Sequence, residues 1–313
     1  MGTTKELVKQ TVGTVLLPFM RQRVEDLAQN EFSMTVGPRS FVNSCLRAAL
    51  ARKLLRQNQV DVMSYYHQQF WTGERGTEFH RHVRDQVIEV YEAHFKYLID
   101  DLNQLIAEHP DLVTLAEIGA GGGSFTQMLT ENVRGIENWI GNDLSMDIIA
   151  ENRKLYPNIE WFAGDGKAWI ETYGEPCSIF LTFRGVLEYF TQDNLDAMFA
   201  FIAEHHRPSA FVLVEPVALD HDLEAQTDSR AYGTEYSFSH NYPHLLTKNG
   251  YTIRRQKLVT FDDHHLCAVI ATTGFDRPTN KHRHAQTSNP TKTVKRVPKH
   301  VSNATIKRRK AFS

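Results

Sequence analysis

Four of the chain's eighteen glycines fall between residues 119 and 123, inside the stretch LAEIGAGGGSFTQML at 115–129. An apolar run enters the cluster through Glu117, and a helical pattern leaves it at Ser124. A backbone without side chains at Gly119, Gly121, Gly122 and Gly123 can approach another group closely and can take positive φ. Such a loop between a strand and a helix points to an open α/β sheet, in which ligands bind beyond the carboxyl ends of the parallel strands.

The flanking sequence agrees. From Asp111 onward, short apolar runs alternate with helical ones. LVTLAEIG, NWIGND, IEWFAGD, CSIFLTF and SAFVLVEPV read as strands, and SFTQMLTENV, SMDIIAENRKLY and TQDNLDAMFAFIAEHH as helices, the second capped by Ser145. A short helix in YPHLLTKNG stops at Gly250, and YTIRRQKLVTF and HLCAVIATTG close as an antiparallel pair. The expected fold is α/β: a seven-stranded, mostly parallel, Rossmann-like sheet with helices on both faces.

Residues 1–110 read as a helical region. Val83, Val87, Val90, Tyr91, His94, Leu98, Leu102 and Leu105 recur at helical spacing and predict one amphipathic helix with at most one break. The turn WTGERGTE, with Gly73 and Gly76, separates it from an earlier helix. Residues 111–276 form the expected cofactor-binding domain. Residues 277–313 hold eleven Lys/Arg and no Asp/Glu, leaving 24 basic against 37 acidic residues for the body. This tail is poor in large apolar residues and predicts disorder.

The composition is that of a soluble globular protein, and no apolar run reaches the length of a membrane span. No secretory signal is read at the start. Cys45, Cys177 and Cys267 form no metal spacing, and Cys177 and Cys267 in their apolar runs read as buried free thiols, so the expected location is cytoplasmic and no metal is expected.

Two cofactors could require the glycine loop. A dinucleotide fingerprint, G-x-G-x-x-G, fails at Ser124. An acidic-x-Gly-x-Gly-x-Gly pattern is met by Glu117, Gly119, Gly121 and Gly123, with Ala120 inside the loop. A carboxylate ahead of the loop suits a cationic ligand and repels a pyrophosphate. On these residues the sequence resembles the class I S-adenosylmethionine-dependent methyltransferases, over about 111–274. Asp143 ends the second strand, where a carboxylate can accept from both ribose hydroxyls. The resemblance implies that Asp165 pairs with the adenine amino group, that Gly166 packs near the ring, and that Arg184 after the fourth strand belongs to the cofactor site.

The methyl acceptor is less constrained. The Asn/Asp-Pro-Pro-aromatic motif of exocyclic-amine methyltransferases is absent after the fourth strand, and Pro176-Cys177 lies at the wrong end of its strand for a cytosine-C5 nucleophile. An oxygen acceptor often needs a general base, which histidine offers. In YGTEYSFSHNYPH that base is expected to be His240, with Glu188 second. Tyr66, Phe70 and Trp71 read as a packing face or as an aromatic lid over the sulfonium. The preferred reading is transfer to the oxygen of a small molecule. The alternatives are an RNA methyltransferase recruited through 277–313, a nicotinamide oxidoreductase and a non-catalytic cofactor-binding scaffold.

Overall fold

The computed structural model describes residues 4–33, 41–173, 178–261 and 264–275. The tail at 277–313 and Pro176-Cys177 lie outside the described residues.

Seven helices come first: α1 (Thr4–Leu16), α2 (Arg21–Asn30), α3 (Phe41–Arg56), α4 (Val60–Thr72), α5 (Glu74–Val83), α6 (Gln86–His94) and α7 (Tyr97–Glu108). The stretch expected to be one long helix is broken twice, at 84–85 and at 95–96. The first break has a visible cause. The carbonyl of Arg84 accepts a hydrogen bond from Ser124 Oγ, so the chain leaves the helix to meet the glycine loop. Gly73 caps the turn before α5, while Gly76 sits inside that helix and lets Trp71 backbone pack against it.

The alternating region follows as β1 (Thr114–Ile118), α8 (Ser124–Asn132), β2 (Asn138–Asp143), α9 (Met146–Leu155), β3 (Glu160–Ala163), α10 (Gly166–Tyr173), β4 (Ser178–Phe183), α11 (Gln192–His205) and β5 (Ser209–Ala218). A small hairpin, β6 (Arg230–Tyr232) and β7 (Ser237–Ser239), precedes α12 (Tyr242–Lys248), β8 (Thr252–Phe261) and β9 (His264–Thr273). Helix α10 and the hairpin were not expected from the sequence. Among the described residues, side chains cap four of the helices: Ser145 accepts from Ile148 N, Asp165 from Ala168 N, Thr191 from Asn194 N and Asn241 from His244 N.

The seven-stranded sheet runs β3-β2-β1-β4-β5-β9-β8. Strands β1 to β5 are parallel, and β9 and β8 close it antiparallel. Strand order reverses between β1 and β4, so their carboxyl ends form the switch-point crevice where such sheets bind ligands. Strand β5 is buried along its whole length, and β8 exposes Arg254, Arg255 and Lys257 at the open edge, which discourages further strand pairing.

Alternation along β1 splits the core. Ala116 and Ile118 face a cluster with Phe180, Phe199, Phe211 and Leu245, whereas Leu115 faces one with Leu102, Leu129 and Ile179. Glu117 shares the Leu115 face, which aims it at α8. Helices α2 to α4 pack a third cluster around Phe32, Leu46 and Met63, joined to the hairpin by Tyr236 and Phe238. The buried imidazole of His67 links the two parts. Its Nδ1 meets Ser33 Oγ at 2.7 Å and its Nε2 meets the Tyr236 carbonyl at 3.2 Å. Burial pushes its pKa down to about 3, so it is neutral and joins them by hydrogen bonds alone.

Phe199 on α11 is fully buried and packs edge-to-face on Phe211 of β5, with centroids 5.0 Å apart. Phe199→Ala should therefore destabilise the sheet domain by about 3–5 kcal/mol, read as a lowered midpoint in urea unfolding.

Candidate functional site

A cavity of about 510 Å³ opens at the switch point. Its floor is the loop after β1, its sides are the ends of β2 and β3 and the turn after β4, and its roof comes from α4, α5 and the start of α6.

The floor is held by Asp143. Its Oδ2 accepts from Gly121 N and its Oδ1 from Ser145 N, each at 2.9 Å, so one buried carboxylate ties the glycine loop to the start of α9. Ala120 N donates to the Asn142 carbonyl, and Asn152 Nδ2 donates to the Gly121 carbonyl. Gly119, Gly121 and Gly123 all have positive φ, at 71°, 49° and 79°. The space their side chains would fill is already taken by protein. A Cβ on Gly119 would lie 2.4 Å from Val186 Cγ2, and one on Gly121 would lie 2.9 Å from His80 Nδ1.

Glu117 lies beneath the loop, fully buried, and accepts from Thr126 Oγ1 of α8. Burial pushes its carboxyl up to about 8, the Thr126 bond opposes this, and the charge of Asp143 adds to it. A buried acid poised near neutrality suits a ligand that brings positive charge. Asp165 lies at the cavity edge, with Oδ1 accepting from Ala168 N at the start of α10, and Gly166 lies buried beside Ile118. Arg184 also lines the cavity, with a left-handed backbone at φ 66° and its guanidinium 5.2 Å from the Phe261 ring. Glu117, Gly119, Ala120, Gly121, Gly123, Asp143, Asp165, Gly166 and Arg184, all chosen from the sequence as cofactor residues, thus meet in one cavity.

The two residues expected to act as a base do not. His240 is fully buried, with its Nδ1 paired to Ser229 Oγ, and burial pushes its pKa down to about 3. The segment around it folds inward as strand β7 and the cap of α12, and Tyr242 beside it is equally buried. Glu188 is buried in the turn after β4, where it accepts from Tyr232 Oη at 2.8 Å and faces the hairpin. Neither residue lines the cavity.

The roof was legible only at Trp71. Its ring packs 5.6 Å from Phe79, 5.1 Å from His80 and 5.5 Å from Tyr189, and all four line the cavity. Tyr66 packs on Phe32 and Phe70 is core, so these two belong to the packing face. Arg81 and Arg84 pin the roof to Glu151 of α9, at 2.6 and 3.2 Å. His80 and Arg84 escaped the sequence reading. Their one signal was an i, i+4 pair of basic groups on an otherwise amphipathic helix. No group of His, Cys, Asp and Glu that could hold a metal occurs among the described residues.

Residues 115–209 match the family model described as a methyltransferase domain. No curated protein matches the chain. Among solved structures, the chain is similar to magnesium protoporphyrin IX methyltransferase from Synechocystis PCC 6803, at 13% identity over 85% of this chain and 97% of that one, with a TM-score of 0.40. A Leishmania major SAM-dependent methyltransferase aligns at 16% identity over 65% and 83%, TM-score 0.45. One from Clostridium acetobutylicum ATCC 824 aligns at 13% over 62% and 97%, TM-score 0.44. The domain match spans β1 to the first residue of β5, the stretch that builds the floor and sides of the cavity, so residues 115–209 carry a methyltransferase domain.

Proposed function

We propose that the protein transfers the methyl group of S-adenosylmethionine to an oxygen of a small molecule held under the aromatic roof. The observation that carries this reading is a partly open cavity that joins an acid-flanked glycine loop to a wall of Trp71, Phe79, Tyr189 and Phe190. We assign the loop and Glu117 to the amino-acid end of the cofactor, Asp143 to its ribose, and Asp165 with Gly166 to its adenine. Residues 1–110 serve as lid and substrate side, and 111–276 as the cofactor domain.

The wall favours an acceptor with a flat or apolar body, because such surface is poorly hydrated and favours burial. The indole Nε1 of Trp71 is buried with no hydrogen-bond partner among the described residues. A buried donor left unpaired is costly, so this site favours an acceptor that brings an oxygen to it. With His240 and Glu188 outside the cavity, that oxygen should be one already acidic, such as a carboxylate or an acidic phenol. Tyr189 does not replace them as a base, since burial and the nearby Glu188 and Glu235 raise its phenol well above the usual value. Nothing in the cavity favours a nucleic acid. No helix among the described residues is long and apolar enough to cross a membrane.

Three outcomes test the reading. S-adenosylmethionine and its demethylated product should raise the melting temperature while NAD and NADP leave it unchanged, because only a ligand of the folded state stabilises it. Asp143→Ala should lower affinity for the demethylated product at least tenfold in titration calorimetry, each lost bond to a carboxylate being worth roughly 1.5–3 kcal/mol.

The third outcome is pH-dependent. Glu117 is held up at about 8 in the free protein, and a cationic ligand favours its carboxylate form. Binding should therefore release a proton between the ordinary glutamate range and about pH 8, and affinity should rise with pH across that window and level off above it. For the unliganded fold the sign is opposite. A carboxyl raised on folding costs stability as pH climbs from its unfolded value to about 8, and the similarly buried Glu215 adds in the same direction. Calorimetry in two buffers of different ionisation heat should show proton release by the wild type and its loss in Glu117→Gln. Equal proton counts in both would remove Glu117 from the ligand site.

A further inference from the structure

Charge is unevenly spread across the cavity. The sheet order β3-β2-β1-β4 sets Asp165, Asp143 and Glu117 along one side of it, after β3, at the end of β2 and in β1. Each of these carboxyls accepts a hydrogen bond: Asp165 from Ala168 N, Asp143 from Gly121 N and Ser145 N, and Glu117 from Thr126 Oγ1. Past β4, on the other side, the charged residue in the lining is Arg184, while His80, His82 and Arg84 belong to the roof. The three acids suit the cationic cofactor proposed above. A cation at the β4 end suits an anionic second ligand.

The fold holds Arg184 in place. It follows the last residue of β4, and its backbone N–H donates to the Val214 carbonyl at 2.7 Å, which ties it to β5. Its φ of 66° is a left-handed conformation that glycine takes freely and that an arginine adopts at a cost. Strain of this kind persists where the surrounding structure needs the residue, and it clusters at ligand sites. The guanidinium lies 5.2 Å over the ring of Phe261 on β8, a cation–π contact that restricts the side chain. Phe183, just before Arg184, stacks on Phe125 with centroids 4.1 Å apart, and both line the cavity together with Val87 of α6. A guanidinium offers a planar fork of N–H donors that matches a carboxylate. Set beside apolar ring surface, it suits a molecule with a flat body and an acidic group.

We propose that the methyl acceptor is a carboxylate, held by Arg184 at the β4 end of the cavity with its body against Phe125 and Phe183. This rests on the cofactor reading above, narrows its acidic oxygen to one class, and moves Arg184 from the cofactor set to the acceptor. The step balances without a base. A lone pair on one carboxylate oxygen forms the O–CH3 bond, and the S–CH3 bond breaks with its electron pair left on sulfur. The negative charge of the carboxylate and the positive charge of the sulfonium disappear together. No proton moves, which matches a cavity that neither His240 nor Glu188 lines. An alcohol would have to give up a proton there, and a guanidinium does not take one.

The test uses the full chain saturated with S-adenosylhomocysteine and three probes of increasing size: benzoate, 2-naphthoate and 4-phenylbenzoate, each paired with its neutral amide. Dissociation constants come from calorimetry. In the wild type at least one acid should bind about tenfold tighter than its amide, as a hydrogen bond between charged groups allows. Arg184→Asn removes the cation and tolerates the left-handed backbone, so it should erase that preference while affinity for S-adenosylhomocysteine changes less than about threefold. Arg184→Lys keeps the charge without the fork and should retain part of the preference. Absence of a preference in all three wild-type pairs would overturn the proposal. So would a preference that survives in Arg184→Asn, or one lost as completely in Arg184→Lys. A tenfold loss of S-adenosylhomocysteine affinity in both variants would return Arg184 to the cofactor and overturn it as well. If the wild type does not bind S-adenosylhomocysteine, it is the cofactor reading that falls, and the acceptor assignment goes with it.

Discussion

The carboxylate of Asp143 sets the geometry of the site. Two backbone N–H groups, from Gly121 and Ser145, converge on its two oxygens. The first bond fixes the height of the glycine loop above the sheet, and the second fixes where α9 begins. A buried carboxylate tolerates its own desolvation only when it is bonded in this way. The same geometry leaves its outer face toward the cavity, under His80. The roof therefore registers against a charge whose position is decided by β2, a strand with which the roof shares no backbone pairing.

A second buried acid plays the matching part on the other side of the switch point. Glu215, in the middle of β5, accepts from the N–H groups of Val186 and Leu187. It thereby curls the turn after β4 back over the sheet and drives Val186 into the space above Gly119. Arg184 and Gly185 take left-handed backbone conformations to make that turn. The cavity floor is thus bracketed by two carboxyls that do structural work through backbone N–H groups. Glu117 lies between them and, among the described residues, accepts from the Thr126 hydroxyl, so it is the acid whose proton a cationic ligand would displace.

What could be read from the sequence follows how local each feature is. Glu117, the glycines, Asp143, Asp165 and Gly166 all sit at strand ends within about fifty residues, where strand, turn and helix patterns place them without tertiary knowledge. His240 was chosen by residue type in a segment that looked polar, and only the packing of a three-residue hairpin strand reveals that it is buried. Strands that short carry no usable alternation. The roof failed to show for a different reason. Apolar periodicity identifies the face of a helix that packs inward, but the inward side of α5 and its C-cap includes His80 and Arg84, because what they cover is the glycine loop and not a core.

The glycine cluster itself is better explained by the structure than by its motif. Read as sequence, four absent side chains make room for a ligand. In the fold, the room is shared. Val186 claims the position above Gly119, His80 that above Gly121, Arg84 that above Gly122, and Trp161 with Asn152 that above Gly123. These neighbours come from the turn after β4, the roof helix, β3 and α9. A side chain on the loop would push each of them away. Gly122 is the exception in one respect: its φ is ordinary, and the group above it is a flexible arginine that can move. At that position glycine answers to the roof alone, whereas at Gly119, Gly121 and Gly123 backbone conformation and packing require it together.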